Sequence, residues 1–371
     1  MTGGGGMTGG GGVPYSPDLT SGKCARERRR HLRRSRNPGS VMLAISCTAF
    51  APDGGGLRLA EAPTPELADG EVLVEVECAS VHPADLMMIA GTYHRGARLP
   101  FGVGLTGVGR VVRRRGGGLV GRLIDARRVA FALPEGRFGT WAQYAATTPD
   151  LCFPLSDALG SEAATNLLAN AASAVGLVER VRALGGGGAV VTAAAGDLGR
   201  LVCARLRERG LAAIATARRA EQVELLRRRG EAHVLHSAAP DFDEALGRLA
   251  HALGVRVAVD TVAGELPARL LAALPQASTV IAVGRLSGAP IRLDAMQPLI
   301  ARGGRLEGFN VGHWFASKST LAAVLGLRHA QRLLLAAPPP PAQRRLGLEE
   351  VVPRFGEVTG STTAGKTLIV M

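Results

Sequence analysis

Apolar and polar residues follow two different patterns along this chain of 371 residues, and the pattern changes near residue 161. Before that point, alternating stretches such as EVLVEVECASV and RVAFAL predict β-strands separated by Gly-rich turns. After it, buried-strand patterns such as GAVVTAA and AAIATA alternate with amphipathic helices such as DLGRLVCARLRERG. We therefore predict an α/β protein, with a mostly β domain followed by a parallel, doubly wound sheet. The last strand pattern, KTLIVM, is expected to return to the first domain.

The first 41 residues differ from the rest in composition. They open with MTGGGGMTGGGG and hold eight Lys or Arg residues against two acidic ones, which is +6 of the chain's net charge of +13. Glycine tracts and a run of like charge cannot bury a core. We predict that residues 1–41 are a disordered, basic, Gly- and Arg-rich extension and that the fold begins at Met42. A basic tail that contacts nucleic acid, or a transit peptide, is the alternative.

Composition also bears on the compartment. No uninterrupted apolar run reaches the roughly 18 residues of a membrane span, so none is expected. The five cysteines lie far apart and include no Cys-x-x-Cys pair, which argues against a disulfide framework and against a structural zinc lobe. This cysteine usage fits a reducing compartment, and we predict a cytoplasmic protein.

The stretch VTAAAGDLGR, residues 191–200, joins a predicted strand to a predicted helix. Its spacing matches the dinucleotide fingerprint G-x-G-x-x-G, with Ala194 in place of the first glycine and Gly196 and Gly199 at the other two. Gly196 would let the backbone approach a pyrophosphate, and Gly199 would let the helix pack closely on the strand. The N–H groups and partial positive charge of the helix N-terminus favour the same anion. A tight turn without a ligand is the alternative.

The end of the next predicted strand indicates which dinucleotide is bound. In NAD-binding folds an acidic residue about 20 positions after the fingerprint binds the ribose 2′-hydroxyl. Here AAIATA ends at Ala217 and is followed by Arg218 and Arg219, with no acid. Because guanidinium groups grip phosphate, this position predicts the 2′-phosphate of NADPH. Two surface arginines in an Arg-rich protein are the alternative.

Seven stretches, in this order and spacing, make the chain resemble the medium-chain dehydrogenase/reductase superfamily over about residues 42–371. The most similar branch is the zinc-free one, with 2-enoyl thioester reductase-like and NADPH:quinone reductase-like proteins. The resemblance implies a GroES-like, mostly β catalytic domain over residues 42–165 and 315–371, and a Rossmann cofactor domain over residues 166–314. The stretches are GEVLVEVECASVHPADLMMIAGTYHRGARLPFGVGLTGVGRVV, GTWAQYAA, LLANAASAVGLV, VTAAAGDLGR, ARRAEQVELLRRRG, DTVAGE and LEGFNVGHWF.

The resemblance also implies that no metal takes part. Zinc alcohol dehydrogenases of this superfamily have a Cys and a Gly-His-Glu where this chain reads VHPADLM and GLTGVG, so Leu105 and Thr106 stand at the His-Glu positions. His82 and His94 lie nearby, but two histidines without further ligands are poor evidence for zinc. Without a Lewis acid, hydride addition to an activated C=C bond or to a quinone remains.

The resemblance implies roles for individual residues. In the enoyl thioester reductases, a tyrosine in a G-x-Y-P stretch is the proposed proton donor, and the matching stretch GTYH makes Tyr93 the catalytic candidate. A phenol is protonated at neutral pH and can donate. Asp197 is an unusual neighbour for a phosphate, and its side chain could instead cap the helix. The residues implied in cofactor binding are Asn170, Ala195, Gly196, Asp197, Leu198, Gly199, Arg218, Arg219, Val283, Gly284, Arg285, Leu286, Phe309, Asn310, Val311 and Lys366.

These observations together predict an NADPH-dependent, zinc-independent oxidoreductase. The expected reaction is hydride transfer to an activated C=C bond of a 2-enoyl thioester or enone. An NADPH:quinone oxidoreductase is the first alternative, and a non-catalytic protein that binds nucleotides or nucleic acid is the second. The expected partners are a small-molecule acyl thioester, enone or quinone and a second copy of the chain in a homodimer, without nucleic acid.

Overall fold

The computed structural model describes residues 40–93, 98–134, 139–293, 296–339, 344–358 and 366–371. Most of the predicted extension, residues 1–39, therefore lies outside the described residues. The strand pairing begins slightly before Met42, since Val41 pairs with Pro63 and the carbonyl of Ser40 accepts a hydrogen bond of 2.7 Å from the backbone N–H of Thr64.

The first domain is made of short strands whose side chains alternate between a core and the surface. Strand β3 lies at its centre, because it pairs antiparallel with β5 along one edge and with β7 along part of the other. A separate three-stranded sheet has the order β2-β1-β4. The helices are α1 (Pro83–Ile89) and α2 (Gly118–Ile124), and the strands are β1 (Val41–Cys47), β2 (Leu57–Pro63), β3 (Val72–Ser80), β4 (Phe101–Gly102), β5 (Thr106–Arg114), β6 (Arg128–Ala132), β7 (Tyr144–Thr147) and β8 (Cys152–Pro154).

A helical segment connects the two domains, and it is interrupted where the sequence pattern indicates one continuous helix. It consists of α3 (Ser161–Ala164), a π-helical turn (Leu167–Ala171) and α4 (Ala172–Ala183). In the π-helical turn the backbone N–H groups of residues 170 and 171 both donate to the carbonyl of Asn166, at 3.1 and 2.9 Å. The extra residue widens the helix at this point, a distortion that is frequent at functional sites.

The second domain is the predicted doubly wound sheet. Its six strands are all parallel, in the order β11-β10-β9-β12-β13-β14. The order reverses direction between β9 and β12, and ligands bind outside the carboxyl ends of the strands at such a switch point. The elements are β9 (Gly188–Val191), α5 (Asp197–Glu208), β10 (Ala212–Ala217), α6 (Ala220–Arg228), β11 (His233–His236), α7 (Phe242–Ala252), β12 (Val257–Asp260), α8 (Leu266–Ala273), β13 (Thr279–Ala282), α9 (Gln297–Ile300) and β14 (Arg305–Gly308).

The C-terminal part returns to the first domain, as predicted. Strand β16 pairs antiparallel with β3, with Leu368 opposite Ser80, and completes a seven-stranded sheet. The elements of this part are α10 (Val311–Ala316), α11 (Thr320–Ala336), β15 (Arg344–Gly347), α12 (Leu348–Val351), α13 (Phe355–Val358) and β16 (Thr367–Val370).

One apolar core joins the two domains. It contains Cys78 and Val108 of the first domain together with Leu177 and Val191 of the second, all of them buried. Helix α11 packs against α4 and the π-helical turn and adds Leu333 to this core. The domain boundaries at residues 165/166 and 314/315 stay predictions. Within the described ranges, no helix combines the length and the apolar character that crossing a membrane requires.

Candidate functional site

The turn between β9 and α5 has the geometry of an anion cradle. Gly196 is the N-cap of α5 in an extended conformation (φ −77°, ψ 173°), and as a glycine it has no side chain to accept from the N–H groups of the first helical turn. A Cβ on Gly199 would lie 2.6 Å from the Cα of Ala194, so this position admits only glycine without a shift. The helix therefore starts close against the strand with its N-terminus open, which fits a pyrophosphate.

Replacement of Gly199 by alanine is expected to lower the free energy of unfolding. The added methyl group would overlap the backbone of the turn, and overpacking of this kind costs about 1–3 kcal/mol. The matched control is Gly196→Ala, because a Cβ there meets only the carbonyl oxygen of Ala193, at 3.3 Å. Urea denaturation of both variants measures the difference, and equal stabilities would contradict the close approach of helix and strand.

A buried aspartate connects the turn between β9 and α5 to the loop after β12. Asp260 is fully buried, and its Oδ1 accepts hydrogen bonds from the hydroxyl of Thr192 at 2.8 Å and from the N–H of Val262 at 3.1 Å. Its Oδ2 accepts from the N–H of Ala263 at 2.8 Å. Because β9 and β12 flank the switch point, this carboxylate fixes the position of the loop after β9 relative to the loop after β12.

Two further loops begin at the carboxyl edge of the parallel sheet. Residues 283–286 follow β13, where the N–H of Val283 donates to the carbonyl of Asp260 at 2.7 Å and that of Leu286 to the carbonyl of Thr261 at 3.0 Å. Gly284, Arg285 and Leu286 are exposed. These residues thus lie at the same edge of the sheet as the predicted pyrophosphate turn, with β12 between them.

Residues 309–311 follow β14 at this edge. The N–H of Phe309 donates to the carbonyl of Ala282 at 2.9 Å, which aligns this segment with the end of β13. The side chain of Asn310 accepts a hydrogen bond of 3.1 Å from the N–H of His313 and thereby caps α10, whose first residue is Val311. The Asn310 amide thus stabilises a helix end, and its predicted cofactor contact stays a prediction.

Arg218 and Arg219 lie immediately beyond β10 and are exposed. Arg219 is the N-cap of α6 and pairs with Glu221, with 3.1 Å between its Nε and the Glu221 Oε1. The backbone of Arg218 is fixed by a 2.7 Å hydrogen bond from the Nε2 of His236 to its carbonyl. Its guanidinium forms no hydrogen bond or ion pair with the described residues, so of the two it is the more available for an anion.

Lys366 lies between the two domains and contacts both. Its Nζ donates to the Oδ1 of Asn166 at 2.9 Å and to the Nδ1 of His82 at 3.1 Å, and it lies 3.6 Å from the Oδ2 of Asp197. Only 13% of the Lys366 side chain and 14% of the Asp197 side chain are exposed. Asp197 is the first residue of α5, and its side chain faces this ammonium group rather than capping the helix. We refer to these four residues as the Lys366 cluster.

Asn170 is attached to the Lys366 cluster through Asn166. Its Nδ2 donates to the Oδ1 of Asn166 at 2.8 Å, the same oxygen that accepts from Lys366. Because the amide nitrogen of Asn170 is used in this way, its carbonyl oxygen is left to accept a hydrogen bond from another donor. A small pocket adjoins the cluster, with Ser80 and Lys366 among its lining residues.

Burial shifts the pKa values of two side chains in the cluster, His82 and Lys366. Burial lowers the pKa of His82 well below its usual value, and the nearby Lys366 adds to the effect. A neutral His82 accepts from Lys366 at Nδ1, so its proton is on Nε2, which lies 3.2 Å from the hydroxyl of Ser80. Burial also lowers the pKa of Lys366, although Asp197 and Asp85 favour its charged form. The ammonium is therefore favoured by the nearby carboxylates against the effect of its burial.

Asp85 holds the loops on either side of the cluster. Its Oδ2 accepts from the N–H of His82 at 2.7 Å and its Oδ1 from the N–H of Leu105 at 2.9 Å. Burial raises its pKa to about 6, against the opposing effect of these two hydrogen bonds. The stretches VHPADLM and GLTGVG, at which the resemblance implies the zinc ligands of other dehydrogenases, are thus joined here by a carboxylate. No group of three or more His, Cys, Asp or Glu residues in the described part of the chain could hold a metal ion.

Tyr93 stands apart from the Lys366 cluster. It follows α1, the helix that begins next to His82, and its N–H donates to the carbonyl of Met87 at 3.2 Å. Its ring is half-buried, and its hydroxyl forms no hydrogen bond with the described residues. His94, the departure from the G-x-Y-P pattern, lies outside those residues. The hydroxyl is thus available to a substrate, and its catalytic role stays a prediction.

The sequence does not predict five residues of the site as such: His82, Asp85, Asn166, Thr192 and Asp260. A signal existed for Asp260, which directly follows a strongly apolar strand pattern, and for His82, which precedes Pro83 at a helix start. Thr192 and Asn166 carry no such signal, since their partners are 68 and 200 residues away in the sequence.

Comparison with known families matches both domains. Residues 68–157 match the alcohol dehydrogenase GroES-like domain, and residues 198–327 match the family described as zinc-binding dehydrogenase. The mitochondrial enoyl-[acyl-carrier-protein] reductase of Xenopus tropicalis is 26% identical over 265 residues, 70% of this chain and 74% of the relative.

Solved structures agree in fold. A putative NADPH:quinone reductase from Mesorhizobium loti is 27% identical and superposes with a TM-score of 0.80 over 90% of this chain and 99% of its own. A mycobacterial protein in complex with NADPH has a TM-score of 0.74 at 22% identity, over 89% of this chain and 100% of its own. The predicted fold class and the predicted oxidoreductase activity are confirmed. The chain belongs to the medium-chain dehydrogenase/reductase superfamily, in its zinc-free branch.

Proposed function

We propose that this protein uses NADPH to reduce an activated C=C bond of a 2-enoyl thioester or enone. The observation that carries the proposal is the arrangement at the carboxyl edge of the parallel sheet. There the open helix N-terminus at Gly196 lies one strand away from the free guanidinium of Arg218, with no acid at that position. This is the charge pattern that a pyrophosphate and a 2′-phosphate require.

The chain's own residues would divide the binding between them. The turn over residues 195–199 would hold the pyrophosphate and Arg218 the 2′-phosphate, while the loops at 283–286 and 309–311 would border the nicotinamide. Asn170, with its amide fixed by Asn166, would present its carbonyl oxygen to the cleft. When bound, the cofactor supplies a hydride to the β-carbon of the substrate.

Tyr93 would complete the reaction. Addition of hydride to the β-carbon leaves negative charge on the α-carbon and the carbonyl oxygen, so a proton must reach the α-carbon. The phenol of Tyr93 can give this proton directly or through a water molecule.

An NADPH:quinone oxidoreductase is the second candidate. A specific observation favours it: the hydroxyl of Tyr93 lies outside the hydrogen-bonded cluster, and a quinone reductase needs the cofactor without this proton donor. The experiment that separates the two is a screen of NADPH oxidation against enones, enoyl-CoA esters and quinones. Turnover with enones or enoyl-CoA supports the first candidate, and turnover with quinones alone supports the second.

Removal of metal is expected to have no effect on turnover. The positions equivalent to the zinc ligands of related dehydrogenases carry Leu105 and Thr106, neither of which ligates zinc. Dialysis against EDTA should leave both activity and melting temperature unchanged. Elemental analysis that found one tightly bound zinc per chain would contradict this expectation.

We further propose that the protein is a homodimer in the cytoplasm and does not bind nucleic acid. Support for the dimer comes from β14, the edge strand of the six-stranded sheet, and from Met296 and Ile300 in the segment before it, which are 55% and 77% exposed. Light scattering on the purified protein tests it, since one chain has a mass of 38.4 kDa. A single species of that mass would count against a dimer.

A further inference from the structure

Asp197 poses an electrostatic problem for the proposed cofactor site. It is the first residue of α5, so its carboxylate lies at the helix N-terminus where the pyrophosphate would bind. A carboxylate there is favourable for the free helix. It is unfavourable for a second anion, because two like charges within a few ångströms repel each other, and the Asp197 side chain is only 14% exposed to screening solvent.

Lys366 lies where it can remove this repulsion. Its Nζ is 3.6 Å from the Oδ2 of Asp197, and both side chains are nearly buried, so solvent screens the pair only weakly. Lys366 directly precedes β16, whose pairing with β3 fixes the backbone, and Asn166 and His82 hold its ammonium group. The position of the charge is therefore set by both domains.

We propose that Lys366 is a positioning residue that neutralises Asp197 and so keeps the N-terminus of α5 receptive to the cofactor pyrophosphate. It acts through Asp197 and not by gripping a phosphate oxygen, since its donors are already directed at Asn166, His82 and Asp197. The inference rests on the proposed function, because it takes the pyrophosphate as the ligand of this helix.

Other cations near the turn are arranged differently. Arg200 donates from its Nη1 to the carbonyl of Ala337, and its Nε and Nη2 are buried without a hydrogen-bond partner in the described part of the chain. Arg229 donates to the carbonyl of Ala195 at 3.4 Å. Neither guanidinium lies within ion-pair distance of Asp197 among the described residues, although the charge of Asp197 acts on Arg200 at longer range and opposes the lowering of the Arg200 pKa by burial. Lys366 is the described cation that lies closest to this carboxylate.

The test is a double-mutant cycle on the full chain with Lys366→Gln and Asp197→Asn, alone and combined. Glutamine removes the charge but retains an amide that can donate to Asn166. Direct fluorescence titration would give the Kd of NADPH and of NADH for each protein. We expect Lys366→Gln to weaken both cofactors by roughly 30-fold or more, because one member of a nearly buried charge pair is left alone. The combined variant should return to within about threefold of the wild type.

The outcomes are distinguishable. If Lys366→Gln leaves both affinities unchanged, or if the combined variant binds as weakly as Lys366→Gln, the inference is wrong. Failure of the wild type to bind NADPH would instead overturn the proposed function. Lys366→Arg, which keeps the charge, is the control for folding and should bind within a few-fold of the wild type. Melting temperatures of all variants show whether any loss of binding comes from unfolding. Should Lys366→Gln unfold, the affinities of Asp197→Asn and the wild type for NADPH test the inference instead. A weaker affinity of Asp197→Asn would contradict repulsion between Asp197 and the pyrophosphate.

Discussion

Tyr93→Phe is expected to slow the reduction of an enoyl thioester by roughly 100- to 10,000-fold, the usual contribution of a positioned general acid. The affinity for NADPH should stay unchanged, because Tyr93 lies on the segment after α1 and not at the carboxyl edge of the parallel sheet. Removal of one hydroxyl from a half-buried ring also leaves the packing of that ring intact. Steady-state rates and NADPH titrations on both proteins measure the two effects separately.

The neighbouring hydroxyl provides a matched control for Tyr93. Thr92 is exposed, and its hydroxyl donates to the carbonyl of Met87 at 3.3 Å. Thr92→Val should therefore reduce an enoyl thioester at close to the wild-type rate. Quinone reduction should be the same in all three proteins, since it does not need the proton donor. Full enoyl reduction by Tyr93→Phe would remove Tyr93 from the mechanism.

Arg218→Ala is expected to weaken NADPH by roughly 10- to 100-fold and to leave NADH nearly unchanged. One charge-assisted hydrogen bond contributes about 1.5–3 kcal/mol, and only NADPH has the 2′-phosphate to lose. The position of Arg218 fits this expectation, because a hydrogen bond from His236 fixes its backbone while its guanidinium is exposed. Titration of both cofactors against both proteins is the measurement.

Arg219→Ala is the matched control for Arg218. Its guanidinium pairs with Glu221, so part of its charge is already compensated, and we expect a smaller loss of NADPH affinity than for Arg218→Ala. If Arg218→Ala lowered the affinities for NADPH and NADH equally, Arg218 would stabilise the fold and not bind the 2′-phosphate. No weakening of either would mean that it points into solvent.

Much of the fold follows from patterns that are local in the sequence. The parallel sheet is predictable because each of its strands is a short apolar run followed by an amphipathic helix, as in GAVVTAA and DLGRLVCARLRERG. The turn between them is predictable because each glycine has a steric reason: Gly196 leaves the helix end open, and Gly199 allows close contact between helix and strand. Arg218 follows from its position directly after β10.

The interior of the site does not follow from local patterns. Lys366 meets Asn166 across 200 residues and His82 across 284, and no periodicity encodes such contacts. The π-helical turn around Asn170 interrupts a sequence that reads as one continuous helix, because tertiary packing decides where the extra residue is placed. The side chain of Asn310 is used as a helix cap, a role that depends on where α10 begins.

The most direct measurement follows the hydride itself. NADPH that carries deuterium at the transferable position of the nicotinamide is supplied together with an enoyl-CoA ester, and the product is examined by mass spectrometry and NMR. We predict one deuterium on the β-carbon of the saturated product and a solvent proton on the α-carbon. Oxidation of labelled NADPH by quinones alone, with the enoyl-CoA ester unchanged, would contradict the account.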